Sequence, residues 1–186
     1  MILDEHSTLV DVAFAVSTAL AHAGERVVLC GGSAATFYAP EAYQSRDLDF
    51  VITFGARRRA IRAALEPLGF TQRPGGMYGH PTIPYTIDFL PGPVAIDEET
   101  ITKFHRERRG EQELQVLTLT DVVRDRVLHF WAWGDQRALQ VAVEVARRQP
   151  TEFDRAKIEE WTEALAGRPG YERSRRDVIL AALTLG

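Results

Sequence analysis

Three groups of residues in the first half of the chain have the types and spacing to do chemistry together. They are the turn Gly31-Gly32-Ser33, the pair Asp47 and Asp49, and the single Asp88. Glycines let the backbone approach a phosphate closely, and the N–H groups at the start of a helix favour negative charge there. Carboxylates suit Mg²⁺, which binds one or two of them together with the phosphate oxygens of a substrate. The combination predicts a site for a polyphosphate and a divalent cation, Mg²⁺ or Mn²⁺.

The spacing of the aspartates defines the chemistry further. Successive side chains of a strand alternate between its faces, so Asp47 and Asp49 are expected to share one face. Two carboxylates so close repel each other, and a divalent cation removes that cost. Asp88, on a neighbouring strand, would be a third ligand or the base that accepts the proton of an attacking hydroxyl. This arrangement predicts in-line displacement at the α-phosphorus of a nucleoside triphosphate, with pyrophosphate leaving.

Hydrophobic periodicity predicts the elements that position these residues. The valine-rich run 26–30 predicts a buried strand that ends at Gly31, and a short helix follows over 33–38. The acids are expected on strands over 47–52 and 85–90. The other predicted elements are strands at 77–78 and 114–117 and helices at 7–24, 56–66, 121–133, 135–148, 154–166 and 172–184.

Strands are predicted early in the chain and helices late, which favours an α+β fold. We expect residues 1–118 to form the core that carries the chemistry. Residues 119–186 are expected to form a helical C-terminal part that packs on this core. No linker separates the two parts, so they are predicted to make one structural unit.

Bulk composition excludes several classes of protein. The chain has 186 residues, 45% hydrophobic and 26% charged, which is typical of a globular protein and not of a disordered one. A net charge of −4 does not suit unselective binding of nucleic-acid backbones. The single cysteine, Cys30, cannot form an intrachain disulfide. Because the sequence has no membrane-length apolar run and no secretory signal, we expect a cytoplasmic protein with no membrane partner.

Two segments carry a resemblance to a known family. Residues 31–35, Gly-Gly-Ser-Ala-Ala, and residues 45–49, Ser-Arg-Asp-Leu-Asp, resemble the nucleotidyltransferase superfamily with a polymerase-beta-like core. They look most like its AbiEii-type toxin branch and related uncharacterised bacterial nucleotidyltransferases. Residues 124–148 are similar to the helical portion of that group. The resemblance spans about residues 26 to 165.

The resemblance implies a mixed sheet flanked by helices and assigns roles to individual residues. It implies that Asp47, Asp49 and Asp88 are the catalytic acids and metal ligands. The residues assigned to nucleotide binding are Gly31, Gly32, Ser33, Arg46, Arg124 and Arg126. For the arginines alternatives stay open: Arg46 could simply neutralise the acid pair, and Arg124 and Arg126 could instead pair with Asp121 or Asp125.

Other groups have simpler interpretations. Asp125 and His129, four residues apart, are interpreted as a surface or helix-packing pair. The basic run at residues 57–59, with Arg62, is interpreted as a solvated helix face. The aromatic residues Phe130, Trp131 and Trp133 are expected in the seam between helices, although one of them could stack on a base.

The sequence therefore predicts a Mg²⁺-dependent nucleotidyltransferase. It would move a nucleoside monophosphate from an NTP to a hydroxyl of an RNA, a protein or a small molecule, and a toxin with an antitoxin partner is one form of this. The alternative is an inactive nucleotidyltransferase-like module that binds a nucleotide or a protein, since Gln136 and Gln140 stand where further acids are expected. A third hypothesis is a structural domain whose acids are solvated.

Overall fold

A computed structural model of the chain describes residues 3–53 and 58–184. In the first part of the chain the elements are α1 (Leu9–His22), β1 (Val27–Cys30), α2 (Gly31–Tyr38), β2 (Asp47–Ile52), α3 (Arg58–Leu65), a 3₁₀ turn (Glu66–Leu68), β3 (Thr71–Gln72), β4 (Tyr78–Gly79) and β5 (Thr86–Pro91). After these come β6 (Ala95–Ile96), β7 (Glu99–Thr100), β8 (Phe104–Arg109), β9 (Gln112–Leu117), α4 (Leu119–Trp133), α5 (Gln136–Arg148), α6 (Arg155–Leu165) and α7 (Arg173–Ala182).

Within these described residues, seven strands form one mixed sheet in the order β3-β4-β5-β2-β1-β9-β8, and β6 and β7 pair separately. Strand β1 is antiparallel to β2 and parallel to β9, whereas β2 and β5 are parallel. The mixed sheet with flanking helices and a helical C-terminal part confirms the predicted fold class.

Local sequence explains why the central elements form. Thr8 and Asp11 make a reciprocal capping box at the start of α1, which satisfies N–H groups that the helix leaves unpaired. All four residues of β1 are buried, as expected for a short apolar strand in the middle of a sheet. Thr118 caps α4 by accepting a hydrogen bond from the N–H of Asp121.

Four of the strands were not predicted from the sequence, namely β3, β6, β7 and β8. Strand β8 reads Phe-His-Arg-Glu-Arg-Arg and pairs with β9 along six residues at the edge of the sheet. Charged residues are common on edge strands because they discourage pairing with other chains, so β8 lacks the apolar alternation that marks a strand. Strands β3, β6 and β7 have two residues each, too few for a pattern. The predicted helix at 56–66 is described from Arg58 to Leu65, and Arg57 lies outside the described residues.

The sheet and the C-terminal helices share one hydrophobic core. Buried residues of α1 and β1 belong to the same cluster as Val122 of α4, Ile158 of α6 and Ile179 of α7. Residues on both sides of position 118 therefore pack together. Among the described residues, no helix has the length and apolar character needed to cross a membrane.

A buried ion cluster holds the C-terminal helices together. Arg124 of α4 is fully buried and donates hydrogen bonds to Asp121, at 2.9 Å, and to Glu99. Its guanidinium also lies 4.8 Å from the centre of the Trp161 ring. Burial alone would raise the pKa of Asp121, but hydrogen bonds from Lys157, Thr118 and Arg124 outweigh it and lower that pKa. Arg124 is thus a packing residue paired with Asp121, which corrects its prediction as a nucleotide ligand.

Replacing Arg124 by methionine should destabilise the fold strongly, because it leaves the buried carboxylate of Asp121 with fewer partners. Breaking such a buried pair typically costs about 3–5 kcal/mol. The matched control is Arg173→Met, whose partner Glu163 is exposed, and the expected loss there is below about 1 kcal/mol. Urea denaturation followed by circular dichroism measures both. Equal stability of the two variants would contradict the assigned packing role.

Candidate functional site

The turn between β1 and α2 brings backbone against an acid. Gly31 begins α2 directly after β1 with a φ of +61°, a conformation that favours glycine. A Cβ at this position would lie 2.5 Å from Oδ2 of Asp49. Gly31 and Gly32 line a cavity of about 420 Å³, and the residue before the helix, Cys30, makes no side-chain cap. The start of α2 and the carboxylate of Asp49 therefore share one small space.

Strand register places the three predicted acids on one face of the sheet. Asp49 of β2 is paired with Asp88 of β5, and Asp47 is paired with Thr86. Since side chains alternate along a strand, Asp47 and Asp49 face the same way. Asp88 faces that way too, because directly paired residues of neighbouring strands point to the same side of the sheet. Asp47 and Asp49 both line the cavity, whereas Asp88 lines a neighbouring cavity of about 720 Å³. An oxygen of Asp88 accepts a hydrogen bond from the N–H of Phe89 at 2.9 Å.

The acids at this site carry uncompensated charge. Burial, followed by the nearby carboxylates of Asp47 and Asp88, raises the pKa of Asp49 to about 6, and Arg126 only partly offsets this. Burial also raises the pKa of the neighbouring thiol of Cys30, which is therefore neutral at pH 7. A cation at this position would offset the repulsion among these carboxylates, which contributes to the raised pKa of Asp49.

Buried hydroxyls hold the backbone around the acids. Ser33 donates to the carbonyl of Cys30 at 2.8 Å and accepts from the N–H of Asp49 at 3.1 Å. Ser33 is fully buried, so its hydroxyl ties α2 to β2 and does not present itself to a phosphate, which corrects the predicted contact. Ser45 donates to Asp47 at 2.9 Å and orients that carboxylate.

Helix α4 supplies the opposite wall of the cavity. Asp125, Arg126 and His129 line it, and Arg126 is bonded to Asp125 at 2.6 Å. From the sequence, Asp125 and His129 are interpreted as a surface or packing pair, and the structure places both half-buried on the helix face that looks onto the acids. Burial and the charge of Arg126 lower the pKa of His129. Arg46 is exposed at the start of β2 and does not line the cavity.

Some lining residues could not be found from the sequence. Tyr43 and Ser45 reach the cavity from the loop between α2 and β2, and Tyr43 lies under the guanidinium of Arg137 at 5.5 Å. Leu90 of β5 lines the same cavity. Ser45 belongs to the segment 45–49 that carries the family resemblance, but its reach into the cavity, like that of Tyr43 and Leu90, depends on how the loop and sheet pack.

The predictions for the aromatic residues and for the basic helix face can be compared with the observed burial. Phe130 and Trp131 are buried as expected, but Trp133 is 72% exposed and is not part of the helix seam. Arg58, Arg59 and Arg62 are exposed, in keeping with a solvated helix face.

A metal centre made of protein ligands alone is absent from the part of the chain that the structure describes. No three Asp, Glu, His or Cys side chains there could together hold a metal ion. Three carboxylates line the cavity: Asp125 is ion-paired with Arg126, whereas Asp47 and Asp49 lie next to the start of α2. Mg²⁺ is commonly held by such a pair together with substrate phosphates, so this donor set fits a cation that binds with a nucleotide.

Asp49→Asn should stabilise the metal-free protein at pH 8. The pKa of Asp49 is about 6 in the folded protein, above its ordinary value of 3.8. The folded protein therefore binds the proton of this carboxyl group more tightly than the unfolded chain does. Wild-type stability should therefore fall as pH rises from about 4 to 6, by about 1–3 kcal/mol, whereas the variant escapes this loss.

Urea denaturation in EDTA at pH 4.5 and pH 8 measures this effect, with Glu111→Gln in the exposed β8–β9 turn as control. The advantage of Asp49→Asn should appear at pH 8 and shrink at pH 4.5. A variant less stable than wild type by the same amount at both pH values would refute the electrostatic account.

Comparisons with known proteins bear on the fold. No family model and no curated protein matches the chain. The chain is similar to the crystal structure of an antigenic nucleotidyltransferase-like protein from Paracoccidioides brasiliensis, with a TM-score of 0.55 and 14% identity over 94% of this chain and 86% of that one. It also matches the antibiotic-resistance factor ANT(2'')-Ia in solution, with a TM-score of 0.44 and 16% identity over 81% and 91% of the two chains.

A crystal structure of ANT(2'')-Ia with adenylyl-2''-tobramycin matches with a TM-score of 0.40 and 15% identity over 94% and 95% of the chains. These two likenesses are too weak to support an argument. The resemblance to the AbiEii-type branch stays a prediction. What the first comparison establishes, together with the mixed sheet and the helical C-terminal part, is a nucleotidyltransferase-like fold.

Proposed function

We propose that this chain is a metal-dependent nucleotidyltransferase that moves a nucleoside monophosphate from an NTP to a hydroxyl acceptor. One observation carries the proposal: Asp49 lies beside Asp47, is paired with Asp88 across two strands, and touches the start of α2 at Gly31. This geometry supports a cation site among the carboxylates, next to backbone that suits a phosphate.

The position of each residue around the cavity suggests its role in binding the nucleotide or the cation. The backbone of Gly31 and Gly32 would bind the triphosphate, because a helix start offers N–H groups and a favourable dipole. Asp47, oriented by Ser45, and Asp49, fixed by Ser33, would hold Mg²⁺ or Mn²⁺. When bound, the cation supplies charge neutralisation for the phosphates and their developing charge. Arg126, on the facing wall, would contact the phosphates, and Arg46 would balance charge from outside the cavity.

Asp88 is suited to proton transfer. The acceptor oxygen forms a bond to the α-phosphorus while the bond to pyrophosphate breaks, and the acceptor proton passes to the carboxylate of Asp88. Asp88 shares the sheet face of Asp49 but borders the neighbouring cavity, where an acceptor can approach from another side than the nucleotide. Placing reactants in this way supplies much of the rate gain in such displacements.

The structure does not identify the acceptor, so the proposal covers several classes of hydroxyl compound. A hydroxyl of an RNA, a protein or a small molecule fits the chemistry, and a role as the toxin of a toxin–antitoxin pair, with an antitoxin partner, is proposed on the resemblance of residues 31–35 and 45–49.

A second candidate is a module that binds a nucleotide without turnover. It is favoured by the absence of a three-ligand metal group among the described residues, and by the position of Asp88, which lines the neighbouring cavity although it is paired with Asp49.

Transfer from α-labelled NTPs with Mg²⁺ tests the enzyme. Acceptors would be total RNA, a protein extract and a mixture of hydroxylated small molecules, with pyrophosphate release as a second readout. Asp47→Asn, Asp49→Asn and Asp88→Asn should each lower the rate at least about 100-fold, because each removes a charge that acts on the reacting groups. Glu111→Gln should keep wild-type activity, and EDTA should abolish it.

Three outcomes separate the hypotheses. Loss in the aspartate variants but not in the control supports the transferase. Mg²⁺-dependent binding of NTP without transfer to any acceptor in the panel favours the binding module. Failure of the wild-type protein to bind any NTP rejects both.

A further inference from the structure

One face of α4 continues outward from the acids. Asp125, His129 and Trp133 follow each other at intervals of four residues, so they form a stripe along one side of the helix. Asp125 and His129 line the cavity that holds Asp47 and Asp49. The ring of Trp133 lies 4.7 Å from that of His129, centre to centre, in an edge-to-face arrangement. The stripe thus leads from the charged part of the cavity to an aromatic pair beside it.

The exposure of Trp133 is unusual for its type. The side chain is 72% exposed, whereas its neighbours Phe130 and Trp131 are buried. Leu90, 40% exposed, lines the same cavity as His129. Ligand cavities combine apolar and aromatic side chains with a few polar groups, and Leu90 and His129, with Trp133 against the His129 ring, supply the apolar and aromatic part beside the carboxylates.

The dimensions of the stripe fit one kind of ligand. Eight residues separate Asp125 from Trp133, which corresponds to about 12 Å along the helix axis. That distance is comparable with the extent of a nucleoside monophosphate from its phosphorus to the outer edge of its base. Because Asp125 lines the same cavity as Gly31 and Asp49, a nucleotide whose phosphates lie in that cavity has the length to extend along this stripe to the ring of His129, which Trp133 contacts.

We infer that His129 and Trp133 form a nucleobase subsite that holds a purine by stacking. The inference rests on the proposed function, since it takes the triphosphate to bind at Gly31 and Gly32. A flat base suits this pair, because aromatic side chains bind bases through their π-faces without needing charge. Purines offer the larger stacking surface and should be preferred to pyrimidines.

Calorimetry with two probes tests the subsite. ATP carries the base, and inorganic tripolyphosphate presents the phosphates alone, both in the presence of Mg²⁺. Trp133→Ala should weaken ATP binding about 10-fold, the scale of one lost base-stacking contact, and should change tripolyphosphate binding less than twofold. UTP binding should weaken less than ATP binding does.

Tryptophan fluorescence gives an independent readout. The chain has three tryptophans, and ATP should quench the emission of the wild type by stacking on Trp133. Trp133→Phe should lose this quenching yet bind ATP within about threefold of wild type, because a phenyl ring still stacks. The matched control is Trp161→Phe, whose ring packs on Arg124 away from the cavity and which should keep the quenching.

Five results would overturn the inference. Unchanged ATP affinity in Trp133→Ala, or equal weakening of ATP and tripolyphosphate, shows that Trp133 does not contact the base. Weaker self-association of Trp133→Ala with unchanged ATP affinity assigns the residue to a contact between copies of this chain. Binding of tripolyphosphate but not ATP by the wild type rejects the subsite and leaves the phosphate site standing. Absence of binding for both probes in the wild type rejects the proposed function itself.

Discussion

The pairing of β2 with β5 is the constraint on which the rest of the site depends. It sets Asp49 beside Asp88 and keeps Asp47 on the same face, although three carboxylates so placed repel one another. The opposite face of the same strands fixes the register, since Leu48, Phe50 and Ile87 are fully buried there. A slip of one residue would move these apolar side chains to the polar face and the acids into the core. Hydrophobic burial therefore stabilises a charge cluster that electrostatics alone would disperse.

A chain of hydroxyl hydrogen bonds converts this register into a defined site. Thr36 of α2 donates to the carbonyl of Gly32 and accepts from the N–H of Ser45, whose own hydroxyl orients Asp47. Ser33 links Cys30 to the backbone of Asp49. The start of α2, the loop before β2 and both acids are thus connected through groups that are largely out of water, where hydrogen bonds are costly to break.

The sequence predicts those features that depend on local pattern. Apolar runs identify β1, β2 and β5, and the alternation of a strand places Asp47 and Asp49 together without knowledge of the fold. The interactions of Ser33 and Arg124 are not local in this sense. A serine after a glycine pair can face a ligand or its own backbone, and the arginine could meet phosphate or Asp121. Packing decides both, by burying the two side chains completely. The exposure of Trp133 is equally a matter of where α4 ends.

In the proposed function, the charge balance of the cavity would link cation binding to nucleotide binding. Among the described residues that line it, Asp47, Asp49 and Asp125 are acidic and Arg126 is the one arginine, already bonded to Asp125. Burial and Arg126 hold His129 toward its neutral form. A free triphosphate entering this space meets net negative charge, which the α2 start offsets only in part. A triphosphate that carries a divalent cation meets carboxylates that lower its energy instead. In the proposed function, the arrangement that raises the pKa of Asp49 would therefore favour the metal complex of the nucleotide over the nucleotide alone.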